Sequence, residues 1–407
     1  MADRSLLGRD RALRTVTAAW LGSRTLLLAT VALTAVINGW GFVGLLGHWD
    51  VEHFARIARQ GYAPNHLEMA FFPGLPLLMR LGLAVGLPPQ ITGVLLSLPG
   101  SALAALALHR IASGASVASD DPGDSGSSAE HRARGTWATV AWLVAPTAVF
   151  TVVGYTEALF CAAAFWAWER ARADRWALAA VLAAAATTLR VSGLFLIGTL
   201  AVLALTWPPA RGLPLAERLR AAARRAVWLL LPLAVLVAYV VYLWTLTGSW
   251  TAWFAAQQAG WLRTFTLPWD AVRATLVAVR PGGYADANGW GWMFRFELVS
   301  TSVGLITVGW MLRRRRWAEA AWVGIQLLAF SFSPWLMSVN RAVLLWFPTW
   351  TIVGEVAARA VCRAPGGVPR PAGRVIAGRV LVGGAMGASV VVMAWWAWMF
   401  ATGQWSS

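Results

Sequence analysis

The sequence predicts an all-α protein that crosses a membrane many times, and three observations carry that expectation. Of its 407 residues, 58% are hydrophobic and only 13% are charged, against about 25% charged in soluble domains. Long apolar runs recur from residue 16 to residue 399. About 20 such residues span the roughly 30 Å hydrocarbon core as a helix, which satisfies its own backbone groups in lipid. The runs also lack the apolar–polar alternation that strands of a membrane barrel would need.

Taken in order, the apolar runs predict eleven spans, at 15–37, 91–111, 136–152, 157–170, 176–189, 194–207, 227–247, 293–312, 317–336, 342–359 and 380–401. The first follows Arg4, Arg9, Arg11 and Arg14 and resembles a signal peptide. It is too long for one and no clear small-residue cleavage site follows, so it reads as an uncleaved span. The runs at 157–170 and 176–189 are short and fit tilted or interfacial helices. Segment 71–86 holds Pro73, Pro76, Gly82 and Gly86, which break or weaken a helix, so a short or re-entrant helix is expected there. The whole chain, 1–407, reads as a single polytopic domain. Its first extracytoplasmic loop is 38–90 and a large one is 248–292. Flexible cytoplasmic loops are expected at 112–134, rich in Ser, Gly and Asp, and at 360–378, rich in Pro, Gly and Arg. No internal repeat stands out, so the inverted-repeat argument for a transporter has no support.

The net charge of +16 invites a nucleic-acid reading. All 34 basic residues are arginine, and they cluster in short loops between apolar runs, which is the mark of membrane topology rather than of a nucleic-acid surface. With the N-terminus in the cytoplasm, 24 arginines fall inside and 9 outside, and Arg24 lies within the first span. That orientation fails if 71–86 is a full crossing. Cys161 and Cys362 form neither a disulfide framework nor a zinc spacing.

Ionisable groups at membrane depth are costly and usually functional. With this topology Asp50, Glu52, Glu157, Arg190, Gln257 and Arg341 face the extracytoplasmic side. In the first outer loop Val51, Phe54, Ile57 and Ala58 share one helical face, opposite Glu52, His53, Arg56 and Arg59, and Gly61 ends the helix. This predicts an amphipathic helix lying on the membrane surface. Asp50 before it is either the N-cap or a general base, and the two roles can coexist. Glu157 suits a helix N-terminus or a site. Arg190 and Arg341 fit snorkelling anchors, or two-pronged phosphate ligands. The apolar turn at 70–78 is either a re-entrant turn or a wall against a lipid chain. His48, Asp50, Glu52, His53 and His66 have no diagnostic metal spacing, and no metal or cofactor is expected. The 27 tryptophans suit an interfacial belt, and some at 244–269 and 290–292 are candidates to line a sugar or lipid site.

The motifs from residue 48 to 78 resemble the PIG-V family of mannosyltransferases. They are Trp49-Asp50, Gly61-Tyr62, Ala70-Phe71-Phe72-Pro73 and Pro76-Leu77-Leu78, in the family's order. Tyr155-Thr156-Glu157-Ala158-Leu159-Phe160, Thr188-Leu189-Arg190-Val191-Ser192-Gly193, and Phe254, Gln257 and Trp261 resemble further elements. Ser338 and Arg341 with Phe347-Pro348 resemble another, although Ala342 stands where the family carries Tyr. The resemblance spans roughly residues 15–350. It implies a GT-C-type glycosyltransferase fold with its active site on the extracytoplasmic face. It implies inverting transfer of mannose from polyprenyl-phosphate-mannose to a glycolipid or glycan acceptor, with Asp50 as general base. It also implies substrate contacts for Trp49, Glu52, His53, Phe72, Tyr155, Glu157, Arg190, Gln257 and Arg341. A lysine-free, arginine-rich chain suggests a high-GC bacterium, hence a multi-pass protein of the bacterial inner membrane, with membrane lipids as partners. The rival from another class is a lipid or solute transporter or flippase, which would need charges at mid-membrane rather than at span ends. A structural scaffold would not need Trp49-Asp50 beside an amphipathic helix.

Overall fold

The computed structural model describes residues 2–64, 66–114, 128–207, 212, 214–282, 290–361 and 372–404, and among them every regular element is a helix. The chain is a polytopic helical membrane protein. It opens with α1 (Ala2–Asn38), the single turn α2 (Phe42–Leu45), α3 (Asp50–Gln60), α4 (Gly74–Ala84) and α5 (Pro89–Ala112). Next come α6 (Ser128–Leu143), α7 (Glu157–Arg172), α8 (Trp176–Thr187), α9 (Ser192–Leu205), α10 (Leu215–Ala226) and α11 (Leu230–Thr247). The last third holds α12 (Ala252–Trp261), α13 (Pro268–Ala278), α14 (Trp290–Arg313), α15 (Trp317–Ser331), the short α16 (Val339–Ala342), α17 (Phe347–Val361) and α18 (Ala372–Ala401).

Four segments are long and apolar enough to cross a membrane by themselves: Ala12–Asn38, Pro89–Ala112, Leu215–Thr247 and Val375–Ala401. The third is longer than the run at 227–247, because α10 and α11 join through a 3₁₀ turn at Val227–Leu229. Other helices are short because they pack in protein rather than lipid. The 12-residue α8 is about 18 Å long at 1.5 Å per residue, and its Ala179, Ala180, Ala183 and Ala186 are fully buried, against α7 and its neighbours. The span expected at 136–152 ends at Leu143. Pro146 follows, and a residue before proline is pushed out of the helical region, so a 3₁₀ turn at Ala148–Thr151 replaces the end of the helix.

The expected loops prove partly helical. Helix α6 begins at Ser128 and α18 at Ala372, so 128–134 and 372–378 are helix, while 115–127 and 362–371 lie outside the described residues. Between 248 and 282 the expected loop carries α12 and α13, and 283–289 lie outside the described residues.

Two expectations for the first outer segment change. The apolar face of α3 does not lie on lipid: Val51, Phe54, Ala55, Ile57 and Ala58 are buried against α4 and α5. The Arg80 guanidinium on α4 donates to the Ala58 carbonyl at 2.8 Å, which pins the end of α3. Nor is Asp50 the N-cap. That place belongs to Trp49, no side chain caps the helix, and Asp50 is its first residue. The segment at 71–86 folds as the 11-residue α4, about 16 Å long and too short to cross. Gly74 at its start lets the chain touch Thr188, whose carbonyl accepts the Gly74 N–H at 2.8 Å.

Candidate active site

A cavity of about 490 Å³ opens where the turns at one end of these helices meet. Its walls include Trp49 and Asp50 at the start of α3, Phe71 and Phe72 before α4, Thr156 and Glu157 at the start of α7, Leu189–Ser192 between α8 and α9, residues of α12 and the turn after it, Phe294 on α14, Phe330 on α15, and Ser338 and Arg341 around α16. The Ala70–Phe72 turn is held from behind. The Trp253 indole and Gln257 amide donate to the Ala70 carbonyl at 3.1 and 3.4 Å, and the Tyr62 and Tyr239 hydroxyls donate to the Phe71 carbonyl at 2.7 and 2.8 Å.

A line of alternating charge crosses the cavity floor. Arg341 Nη1 donates to Asp50 Oδ2 at 2.5 Å, and its Nε lies 3.6 Å from Glu157 Oε1, an ion pair beyond hydrogen-bond range. Arg190 Nη1 donates to the same Glu157 oxygen at 2.6 Å and to Thr156 Oγ1 at 3.4 Å. The Asp50 backbone N–H donates to the Tyr155 hydroxyl at 3.2 Å. The Arg341 guanidinium also sits 5.1 and 5.5 Å from the ring centres of Tyr155 and Phe150, a favourable placement for a cation. Burial pulls the Arg341 pKa down, but Asp50, then Glu157 and Tyr155, outweigh it and raise it.

The backbone is strained where it delivers these groups. Among the described residues five non-glycine positions have positive φ: Trp49, Asp174, Leu262, Arg315 and Ser338. Trp49, Leu262 and Ser338 all line the cavity; Trp49 and Leu262 stand directly before Asp50 and Arg263, and Ser338 opens the turn that carries Arg341. A side chain in that region costs of order 1–3 kcal/mol and persists only where surrounding structure over-determines it. At Ser338 the cause is visible. Glu297, fully buried on α14, accepts the backbone N–H groups of Ser338 (2.8 Å), Val339 (2.8 Å) and Asn340 (3.1 Å). A buried carboxylate thus fastens the turn that presents Arg341.

The cavity therefore gathers Trp49, Asp50, Phe72, Glu157, Arg190, Gln257 and Arg341. Tyr155 is buried behind Asp50 rather than on the wall. Glu52 and His53 do not reach the cavity, because they lie on the other face of α3. Glu52 is 68% exposed and pairs with Arg56 at 3.0 Å. His53 stacks on Phe71, with its Nδ1 3.2 Å from Glu68. Glu68 is itself buried, and it also holds Arg56 at 2.8 Å and touches His66. Among the described residues, no three His, Cys, Asp or Glu side chains gather as metal ligands.

The sequence pattern of the family described as Mannosyltransferase (PIG-V) matches residues 6–246, more than half of the chain. The chain belongs to this family. GPI alpha-1,6-mannosyltransferase 2 of Homo sapiens is 36% identical over 162 residues, 39% of this chain and 32% of that protein. The Mus musculus protein of the same name is 34% identical over 171 residues, again 39% and 32%. The chain spans about a third of the length of the curated relatives it matches. The PIG-V match includes Asp50, Tyr155, Glu157 and Arg190, whereas Gln257, Arg263, Glu297 and Arg341 lie beyond its end.

Two site residues of this PIG-V chain escape a reading of the sequence. Glu297 carries a usable signal, a carboxylate within the apolar run at 293–312. Arg263 counted merely as one of the outer arginines. It lines the cavity with its guanidinium 6.0 Å from the Phe330 ring centre. Burial first, then the neighbouring Arg341, lower its pKa to about 10, so it remains a cation at neutral pH.

Proposed function

We propose that this PIG-V chain transfers mannose from polyprenyl-phosphate-mannose to a hydroxyl of a glycolipid or glycan acceptor, with inversion and on the extracytoplasmic face of a bacterial inner membrane. The observation that carries the reading is Asp50 itself, on the wall of a cavity that also bears Arg190, Arg263 and Arg341. Arg341 occupies Oδ2, and no described residue hydrogen-bonds Oδ1, so one carboxylate oxygen is open to an incoming hydroxyl. The names of the relatives support mannose as the sugar.

In this reading Asp50 accepts the acceptor's proton as its oxygen attacks the anomeric carbon. The bond from that carbon to the phosphate oxygen breaks, and polyprenyl phosphate leaves. A positioned base contributes about 10²–10⁴-fold. The leaving group departs as an anion, so guanidiniums at the developing charge serve better than a general acid. In this reading the lipid tail lies along α4, where Leu77, Leu81 and, just past its end, Val85 are exposed. The test is incubation of membranes with radiolabelled polyprenyl-phosphate-mannose and a panel of glycolipid and glycan acceptors. Label should reach at least one acceptor and vanish with Asp50→Asn. Failure with every acceptor, or full transfer by the variant, rejects the reading.

A further inference from the structure

Arg190, Arg263 and Arg341 share the cavity walls with only two carboxylates, Asp50 and Glu157. Two of the guanidiniums have carboxylate partners: Arg341 holds Asp50 and Arg190 holds Glu157. Glu297, behind the wall, is engaged by three backbone N–H groups. Arg263 has no carboxylate within ion-pair distance and no side-chain hydrogen bond among the described residues, and its Nε is buried without a partner. Holding a half-buried cation with a buried, unpartnered Nε and no ion-pair partner is costly. The chain nonetheless delivers it there through Leu262, held at φ 53° at the end of α12. The donor-rich guanidinium on the cavity wall without an ion-pair partner is therefore that of Arg263.

We propose that Arg263 is the docking cation for the donor's phosphodiester, a proposal that rests on the transferase reading above. A polyprenyl-phosphate sugar carries one negative charge at that phosphate, which matches the one cavity guanidinium without an ion-pair partner. The match holds through the reaction. The acceptor O–H bond breaks and its proton goes to Asp50, while a bond forms between the acceptor oxygen and the anomeric carbon. The anomeric C–O bond to phosphate breaks with its electron pair on the phosphate, which becomes a doubly charged monoester. Protonated Asp50 no longer neutralises Arg341, so a second guanidinium is released as the second phosphate charge appears. Arg263 therefore governs donor binding, and Arg341 governs the transfer step.

The test measures binding of polyprenyl phosphate and of uncharged polyprenol to the purified full chain, wild type, Arg263→Gln and Arg263→Lys. Wild type should prefer the phosphate, Gln should lose that preference by about tenfold or more, and Lys should keep part of it. A second readout needs no variant: modification of Arg263 by phenylglyoxal, followed by mass spectrometry. Polyprenyl phosphate should protect Arg263, and polyprenol should not. Transfer by wild type together with an undiminished preference in Gln, or with no protection of Arg263, overturns this inference and leaves the transferase reading standing. Inorganic phosphate protecting as well as polyprenyl phosphate at equal concentration also overturns it, since the site would then be a simple anion hole. A wild type that neither transfers mannose nor distinguishes polyprenyl phosphate from polyprenol overturns both.

Discussion

Asp50 and Arg341 stand 291 residues apart in sequence and 2.5 Å apart in space. This changes what Asp50→Asn does. With no side-chain cap on α3 to preserve, asparagine instead leaves the largely buried Arg341, 12% exposed, short of a counter-charge. The variant should lose transfer by about 10²-fold or more. It should also melt lower, by on the order of 1–3 kcal/mol, the usual penalty for a buried polar group whose partner is removed. Transfer assays beside detergent melting curves check both, and near-normal transfer by asparagine would remove Asp50 from the chemistry. Glu297→Gln probes positioning. A carboxamide offers one acceptor oxygen and turns an NH₂ donor toward the backbone N–H groups of residues 338–340. The Arg341 turn should loosen, and kcat should fall by about tenfold, since small misplacements cost rate, with the KM for donor nearly unchanged. A lower Tm with unchanged kcat would make Glu297 a residue of stability alone.

At the scale of elements, the site depends on short helices meeting closely. A Cβ on Gly74 at the start of α4 would lie 2.5 Å from Thr188 Oγ1 and 2.8 Å from the Thr188 carbonyl oxygen. Backbone cannot move aside like a flexible side-chain tip, so Gly74→Ala should destabilise by about 1–3 kcal/mol. It should also lower transfer, because Thr188 leads directly into Arg190. Gly309→Ala in α14 is the control: nothing lies within 4 Å of its Cβ, and stability should hold or rise by less than about 1 kcal/mol. Thermal melts of the two variants decide, and equal Tm values would mean that the contact between α4 and the turn at Thr188 is soft.

For the whole molecule, contact fixes parity. Asp50 touches Tyr155 and Arg341, so an even number of crossings separates them. A full crossing by α4 would break that count. The opposite ends of the helices carry their own ion pairs: Arg110 with Glu169, Arg172 and Arg316 with Glu319, and Arg314 with Glu355. On the arginine distribution we propose that this end is cytoplasmic. Single cysteines at Glu52, 68% exposed, and at the exposed Arg315, in a Cys161→Ser and Cys362→Ser background, test it with an impermeant thiol reagent. In intact cells position 52 should react and position 315 only after permeabilisation, and the reverse pattern would invert the orientation.

The helical membrane class was legible in the sequence because apolar runs in lipid have no other way to satisfy their backbone. Asp50, Glu157, Arg190 and Arg341 were legible because charge among apolar residues is costly and seldom idle. Periodicity also separated the faces of α3. It did not say that the apolar face meets α4 and α5 rather than lipid, nor that the face bearing Glu52 and His53 turns away from the cavity. Those outcomes depend on which neighbour arrives, and so does pairing. Glu157 serves Arg190 and Arg341 together, Glu297 fastens the Arg341 turn, and Arg263 is left with no ion-pair partner among the described residues. The strain at Trp49, Leu262 and Ser338 belongs to the same level. No local propensity favours a tryptophan or leucine at positive φ, so only contacts made elsewhere in the fold hold it there.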